Sequence, residues 1–461
     1  MTDWQESFRS TVLPAVARST SIDEVILAPS CLDAAGTVYR RHFHDRPALV
    51  IADETTYALA GERVSATLSG AGIDVDRHVL PAKPRLQPER TIGEELVERL
   101  RTARQETPIA VAVGSGVVHD LTRYAAFHAG THFMSVPTAA SMDGYTSAGA
   151  PLSDKGFKIT LQCAPPRVIL ADLDVIAAAP AEMSGWGYGD LAGKMPAGGD
   201  WLVADALGVE PVDDTAWPLV QDNLKGWLAD PAGVRDGAVG AIAGLFVGLA
   251  VTGLAMELHG SSRPASGADH QIAHIWEMEH LAHRGEKSSH GACVAIGCLS
   301  MLALYDWLIA RDFSNFDPAA ASRAAPDWEE TEATIRIAFG RGEVAERAIA
   351  EMRGKRIERA ALAARLERFK RSWPALRQRL SDHLMRESQM RNLLAAAGAP
   401  VAVGEIGLSA ARHRATVLKA RYIRKRYTLL DLLAEAGLLE RAVTESFPDG
   451  HALYAGKGEA A

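Results

Sequence analysis

The chain runs to 461 residues, of which 48% are hydrophobic and 23% charged, a make-up that excludes disordered, collagenous and disulfide-scaffold classes. At roughly 150 residues per domain it has room for two or three domains with substantial cores. Lysine and arginine total 49 against 57 aspartates and glutamates, a net charge of −8, so no overall basic field draws nucleic acid or an anionic membrane.

In chain order, Val25–Leu27, Ala48–Ile51, Val79-Leu80, Ile109–Val113, Phe133–Val136 and Val168–Leu170 read as short buried strands. Helical stretches such as Gly93–Gln105 and Asp120–Ala129 fall between them. That alternation predicts a mainly parallel sheet covered by helices, with ligands at the carboxyl ends of its strands. After Pro180 the composition turns to long Ala/Leu/Glu/Arg-rich stretches. The expected architecture is therefore an α/β nucleotide-binding domain over residues 1–180 and an all-helical domain over 181–461, with a hinge at Ala177–Ala181 and a ligand cleft between the halves. Mixed charge at helical spacing over residues 328–393 reads as the solvated faces of amphipathic helices.

Gly237–Met256 is uncharged and long enough to span a membrane, but its five glycines and five alanines leave little bulk, and no second such stretch is expected. A buried, closely packed helix is predicted instead. The cysteines, Cys31, Cys163, Cys293 and Cys298, form no CxxC pair, and the acidic start Met1–Ser7 lacks a basic-then-apolar leader, so a cytoplasmic location is expected.

Gly114-Ser115-Gly116 follows a buried strand and opens a helix, the arrangement in which backbone N–H groups and a helix N-terminus meet an anion. It lacks the third glycine of the Rossmann fingerprint, so by itself it reads equally well as a tight turn. A second small-residue loop, Val136–Ser147, groups Thr138, Ser141, Asp143 and Ser147 after another strand. Together the two loops suit a dinucleotide, and Asp53, at the end of its own strand, could accept hydrogen bonds from an adenosine ribose.

Five of the fifteen histidines fall within residues 270–290, which points to a metal. Spacing nominates His270 and His274, four apart on one helix face, as ligands. A carboxylate, Asp190, is offered by the segment Gly185–Asp190, read as a glycine-rich loop. One aspartate and two histidines would leave coordination positions open, as in a catalytic site.

The motifs GSGVVHD (114–120), PTAASMDGYTS (137–147), GYGD (187–190), SRPASGADHQIAHIWE (262–277), HGACVAIG (290–297) and ARYIRKRYTLLDLLAEAG (420–437) together resemble the sn-glycerol-1-phosphate dehydrogenases, in their bacterial branch. That family sits in the superfamily of dehydroquinate synthase and the iron-containing alcohol dehydrogenases. The resemblance implies a dehydroquinate synthase-like fold, NAD or NADP, one divalent metal (zinc ahead of nickel) and a homodimer. It implies the ligand set Asp190, His270 and His290, with His274 turned to substrate, in place of the His270/His274 pair. It implies further that Gly114, Ser115, Gly116, Val117, Asp120, Thr138, Ser141 and Ser147 line the dinucleotide, with Asp53 at its adenosine end, and that Asp143, Asp190 and His274 meet substrate. Departures from the superfamily pattern are Ser115 for a glycine, Arg123 for a lysine and Asp269 for a glutamate.

The implied reaction is reversible hydride transfer between NAD(P)H and C2 of dihydroxyacetone phosphate, giving sn-glycerol 1-phosphate, a phospholipid precursor. His274, or a water held by Asp143, would supply the proton, and Lys158, Lys194 and Arg263 are candidate cations for the phosphate. A dehydroquinate synthase-like cyclase and a dehydrogenase of an unphosphorylated polyol are the alternatives.

Overall fold

The computed structural model describes residues 4–102, 106–154 and 157–455, apart from the side chains of residues 157 and 158. The side chain of Lys158 and the end of the helix expected to reach Gln105 lie outside the described residues.

Six parallel strands form the main sheet: β1 (Glu24–Ala28), β2 (Ala48–Asp53), β3 (Val75–Leu80), β4 (Ile109–Gly114), β5 (Phe133–Pro137) and, last in the chain, Val168–Asp172. Before that last strand the chain makes an antiparallel hairpin, β6 (Ala150–Asp154) with β7 (Phe157–Leu161), so Val168–Asp172 is β8. The order across the sheet is β1-β8-β5-β4-β2-β3. Apolar side chains alternate between its faces: Val50, Val111 and Met134 enter one core with Val38, Tyr39 and Leu68, while Leu49, Ile51 and Ala112 enter another with Leu96, Leu121 and Tyr124. A parallel sheet covered on both sides needs such runs.

The longer helices include α1 (Gly116–Ala129), α2 (Ala181–Ala192), α3 (Lys194–Ala206), α4 (Val239–His259), α5 (Ala268–Met278), α6 (His290–Ile309) and α7 (Arg359–His383).

The chain gathers into two compact units, the first made of Met1–Leu191, Pro218–Ser262 and Ala396–Gly398, the second of Ala192–Trp217, Arg263–Ala395 and Ala399–Ala461. Compactness thus divides the chain differently from the change in composition at 180/181. Helix α4 lies with the sheet unit, packed on Leu173–Ala177 and on the N-terminal helical segment Trp4–Ser7.

In the second unit α5 packs on α6, and α3 on α7. Helix α7 buries Leu362, Leu366, Phe369, Trp373, Leu376 and Leu380 at three- and four-residue spacing, so its many charges lie on the remaining face, as an amphipathic helix requires. Among the described residues of this unit the regular structure is helical apart from the two-residue pairing of Ala282–His283 with Glu286–Lys287.

Three local expectations need correction. Gly185–Asp190 is not a loop but part of α2, because its glycines admit neighbouring backbone: a Cβ on Gly187 would overlap the carbonyl oxygen of Ala140. Strand β3 begins at Val75, earlier than the apolar pair Val79-Leu80, since an edge strand tolerates the exposed Arg77 and the half-buried Asp76 and His78. A second helix, α6, is also long and apolar enough to cross a membrane by length and composition. Of the apolar windows of α4 and α6, 72% and 89% are buried inside the protein, which is what core helices require.

Candidate functional site

In the first unit, β4 and β5 end side by side, with Gly114 opposite Pro137 in register, and the Thr138 N–H donates to the Gly114 carbonyl at 2.9 Å. The two small-residue loops therefore leave neighbouring strands at the carboxyl edge of the sheet. Ser115 precedes α1 in an extended conformation and does not cap it with its side chain, which leaves the first N–H groups of a 14-residue helix to meet an anion.

Buried Arg123 ties the second loop to α1. Its guanidinium donates to Asp120 at 2.8 Å, to the Gly149 carbonyl at 3.1 Å and to the Gly144 carbonyl. One turn earlier, His119 Nδ1 lies 3.0 Å from the Ser115 carbonyl, and its ring meets Tyr145 edge-on at 5.0 Å. The Tyr145 hydroxyl lies 3.1 Å from Ser141 Oγ, so a continuous chain of contacts joins the Gly-Ser-Gly turn to the second loop. Burial holds the His119 imidazole neutral, its pKa down to about 3.

The second loop is anchored from below as well. The Asp143 N–H donates to Asp190 Oδ2 at 3.0 Å, and the Asp190 side chain is fully buried on α2. The Thr146 hydroxyl donates to the Ala250 carbonyl of α4 at 2.7 Å, across a contact that a Cβ on Gly253 would destroy. The small residues of α4 thus serve close packing.

In the second unit α5 and α6 bring three imidazoles together. Ring centroids of His270 and His290 are 5.4 Å apart, and His274 lies 6.1 Å from the first and 5.8 Å from the second. His270 Nδ1 lies 2.5 Å from Asp269 Oδ2, and His290 Nδ1 lies 2.6 Å from Glu277 Oε1. An ionised carboxylate only accepts, so each Nδ1 carries a proton, and in the neutral ring Nε2 is then the nitrogen that can bind a cation. Donor atoms of His274, Glu277 and His290 also lie within 4.8 Å of one another. The 2.6 Å between Glu277 and His290 is nevertheless a hydrogen bond, shorter than the roughly 3.4 Å between two ligand atoms placed tetrahedrally about 2.1 Å from one metal.

The Iron-containing alcohol dehydrogenase family model matches residues 26–180. Among curated relatives, glycerol-1-phosphate dehydrogenase [NAD(P)+] of Bacillus velezensis is 34% identical over 63% of this chain and 73% of its own length. The enzyme of the same name from Halalkalibacterium halodurans is 38% identical over 56% of this chain and 64% of its own length, so the chain spans just under two thirds of that relative. This chain belongs to the glycerol-1-phosphate dehydrogenase family. Among solved structures, a probable glycerol dehydrogenase from Sinorhizobium meliloti superposes with a TM-score of 0.61 at 16% identity, covering 93% of this chain and 98% of its own. Glycerol dehydrogenase from Schizosaccharomyces pombe gives 0.56 at 15% identity, with 93% and 91% covered. At that identity the likeness extends to the fold.

Against the family's pattern, the expected dinucleotide residues fall into two groups. Gly114, Ser115, Gly116 and Val117 form the turn and helix start, and Thr138, Ser141 and Ser147 share the adjoining loop, where Ser147 Oγ donates to the Gly144 carbonyl at 3.3 Å. Asp120 and Asp53 are engaged locally. Asp120 holds Arg123, and Asp53 caps a short helix by accepting the Thr56 N–H at 2.8 Å. Of the candidate phosphate cations, Arg263 is spent on the Asp200 and Tyr427 carbonyls at 3.0 and 3.1 Å, and Lys194 is fully buried at the start of α3. Sequence reasoning missed Glu277. Its signal was present: it lies seven residues after His270 and so on the same helix face.

Proposed function

We propose that this chain reduces dihydroxyacetone phosphate to sn-glycerol 1-phosphate with NAD(P)H, using Asp190, His270 and His290 to hold one divalent metal. The observation that carries the reading is the pair of imidazoles on α5 and α6 whose Nδ1 atoms are committed to Asp269 and Glu277. Carboxylates in that position fix the tautomer and raise ligand basicity, an arrangement with little purpose in a plain core. Two imidazole nitrogens and one carboxylate oxygen suit zinc, with nickel as the alternative, and leave room for substrate.

Bound metal supplies Lewis acidity toward the C2 oxygen, and NAD(P)H supplies the hydride. The protein's own part is placement. N–H groups at the start of α1 receive the pyrophosphate, and Thr138, Ser141 and Ser147 supply hydroxyls beside it. Asp53 faces the adenosine ribose, and its charge disfavours a 2′-phosphate, so NAD is preferred over NADP. Asp143 and His274 orient the substrate hydroxyls together with Asp190. The imidazole of His274, or a water held by Asp143, delivers the proton to the C2 oxygen. A cytoplasmic homodimer accompanies this reading and is checked by cell fractionation and analytical ultracentrifugation.

The test is NADH oxidation with dihydroxyacetone phosphate, followed spectrophotometrically before and after chelation, with chiral analysis of the product. Stoichiometric oxidation, its loss on chelation and its return with zinc or nickel support the reading. Undiminished turnover by metal-free protein overturns it, and conversion without net NADH loss would instead indicate a cyclase.

A further inference from the structure

Helices α5 and α6 run side by side, with Gly297 of α6 set against the Asp269 backbone and Glu277 of α5 against His290, so their separation fixes where the imidazoles stand. A further helix of the second unit, α8 (Ala410–Lys419), bonds to both. The indole N–H of Trp276, one residue before Glu277 on α5, donates to the Thr416 hydroxyl of α8 at 3.0 Å. From the same helix His413 Nε2 lies 2.8 Å from Ser300 Oγ on α6. All four side chains are buried. At the end of α5, Glu279 accepts from Arg412 and Lys419 of α8 at 2.8 and 2.6 Å.

The protons of this set have one arrangement. Ser300 gives its own to the Ile296 carbonyl at 2.6 Å, and Thr416 gives its own to the Arg412 carbonyl at 2.9 Å, so each hydroxyl has only lone pairs left for its partner. His413 therefore carries a proton on Nε2. Burial, with His451 and Arg414 close by, holds the ring neutral, its pKa down to about 3. Nδ1 is then an acceptor, and the Tyr454 hydroxyl, 3.0 Å away, donates to it. With both nitrogens committed His413 is no ligand, and its tautomer is the reverse of that of His270 and His290. Tyr454 is seated in turn by Arg414, whose guanidinium lies over its ring at 5.3 Å and donates to the Phe447 carbonyl at 2.9 Å. Removing any one member leaves its neighbours with a buried polar atom unanswered.

We propose that His413 is a positioning residue for the metal site: seated by Tyr454, it holds α6 through Ser300 while Thr416 of the same helix holds α5 through Trp276, and so sets the spacing at which His270 and His290 meet one cation. This rests on the metal-site reading of the preceding subsection. It gives the turn Ala452–Tyr454, far from every candidate ligand in sequence, a part in their alignment.

The experiment compares wild type, His413→Leu, His413→Gln, Tyr454→Phe and Leu366→Ala, the last removing buried bulk from α7, which takes no part in this set of bonds. Metal affinity is read by competition with a chromophoric chelator, coordination geometry from the visible spectrum of the cobalt(II)-loaded protein, and stability from thermal melts. His413→Leu should weaken zinc and cobalt binding by roughly 10-fold, the low end for losing an outer partner of a ligand, and shift the cobalt bands. Tyr454→Phe, the milder change, should move both in the same direction. His413→Gln keeps an N–H for Ser300 and should recover part of the affinity. Leu366→Ala should melt earlier, with wild-type affinity and spectrum. Wild-type affinity and spectrum in both His413→Leu and Tyr454→Phe, or the same losses in Leu366→Ala, would overturn the assignment and leave α8 as packing alone. If His413→Leu does not fold, Tyr454→Phe decides by the same two readings. Wild type that binds no divalent metal overturns the metal-site reading itself, and this one with it.

Discussion

Nδ1 of His290 at the start of α6 lies 2.6 Å from Oε1 of Glu277 near the end of α5. The pair orients a candidate ligand through a residue that is not itself a ligand. Glu277→Ala should weaken zinc binding about 10- to 100-fold, read by competition with a chromophoric chelator. Glu277→Gln, whose amide oxygen still accepts, should recover part of it. Wild-type affinity in Glu277→Ala would show that the ring is held by other means.

Arg123 is fully buried and answers Asp120 together with the carbonyls of Gly144 and Gly149. Arg123→Met leaves the aspartate without its guanidinium and should cost about 3–5 kcal/mol, seen as a lower urea midpoint. Adding Asp120→Asn should restore part of that stability. A double variant no more stable than the single one contradicts the pairing.

Gly187→Ala places a methyl group against the Ala140 carbonyl, where backbone cannot yield cheaply. A loss of about 1–3 kcal/mol is expected, with weaker NADH binding because the 138–147 loop is displaced. Gly244→Ala on α4 is the control, since nothing lies within 4 Å of its added Cβ. That change should stabilise by about 0.5–1 kcal/mol. Thermal melts and NADH fluorescence titrations report both effects.

His119 is buried with its pKa lowered to about 3 by desolvation, against about 6.5 when unfolded. Above pH 6.5 both states are neutral and the group contributes no pH dependence. As pH falls from 6.5 toward 3 the unfolded chain takes up a proton that the folded one refuses, so stability drops, by about 2 kcal/mol at pH 5. Denaturation at pH 7.5 and pH 5 should show this drop, and His119→Phe should reduce it by that amount. An equal acid loss in the variant would place the sensitivity elsewhere, with His413, also held at about 3 by burial, the next group to replace.

Much of the site could be read from residue order because it is made of local patterns. Gly114-Ser115-Gly116 sits where a buried strand runs into a helix, and His270 and His274 share a face by helical periodicity. Patterns misled where close packing overrode propensity. Gly185, Gly187 and Gly189 suggested a loop, yet they lie in α2, and for Gly185 and Gly187 backbone from residues 398 and 140 occupies the space a side chain would need. The hairpin of β6 and β7 went unseen because Ala-Pro-Leu-Ser-Asp has neither β-branched residues nor alternation strong enough to mark a strand.

Residue order determined the alternation of strands and helices, carried by neighbours a few positions apart, and the family, carried by motifs spread along the chain. Only the folded chain decided that Glu277 orients His290, that Asp120 answers Arg123 under the 144–149 backbone, and that Arg426 reaches Ser266 across 160 positions. Those outcomes depend on which polar groups lose water together. A buried donor must take the acceptor that folding brings to it, and no local pattern encodes that distance.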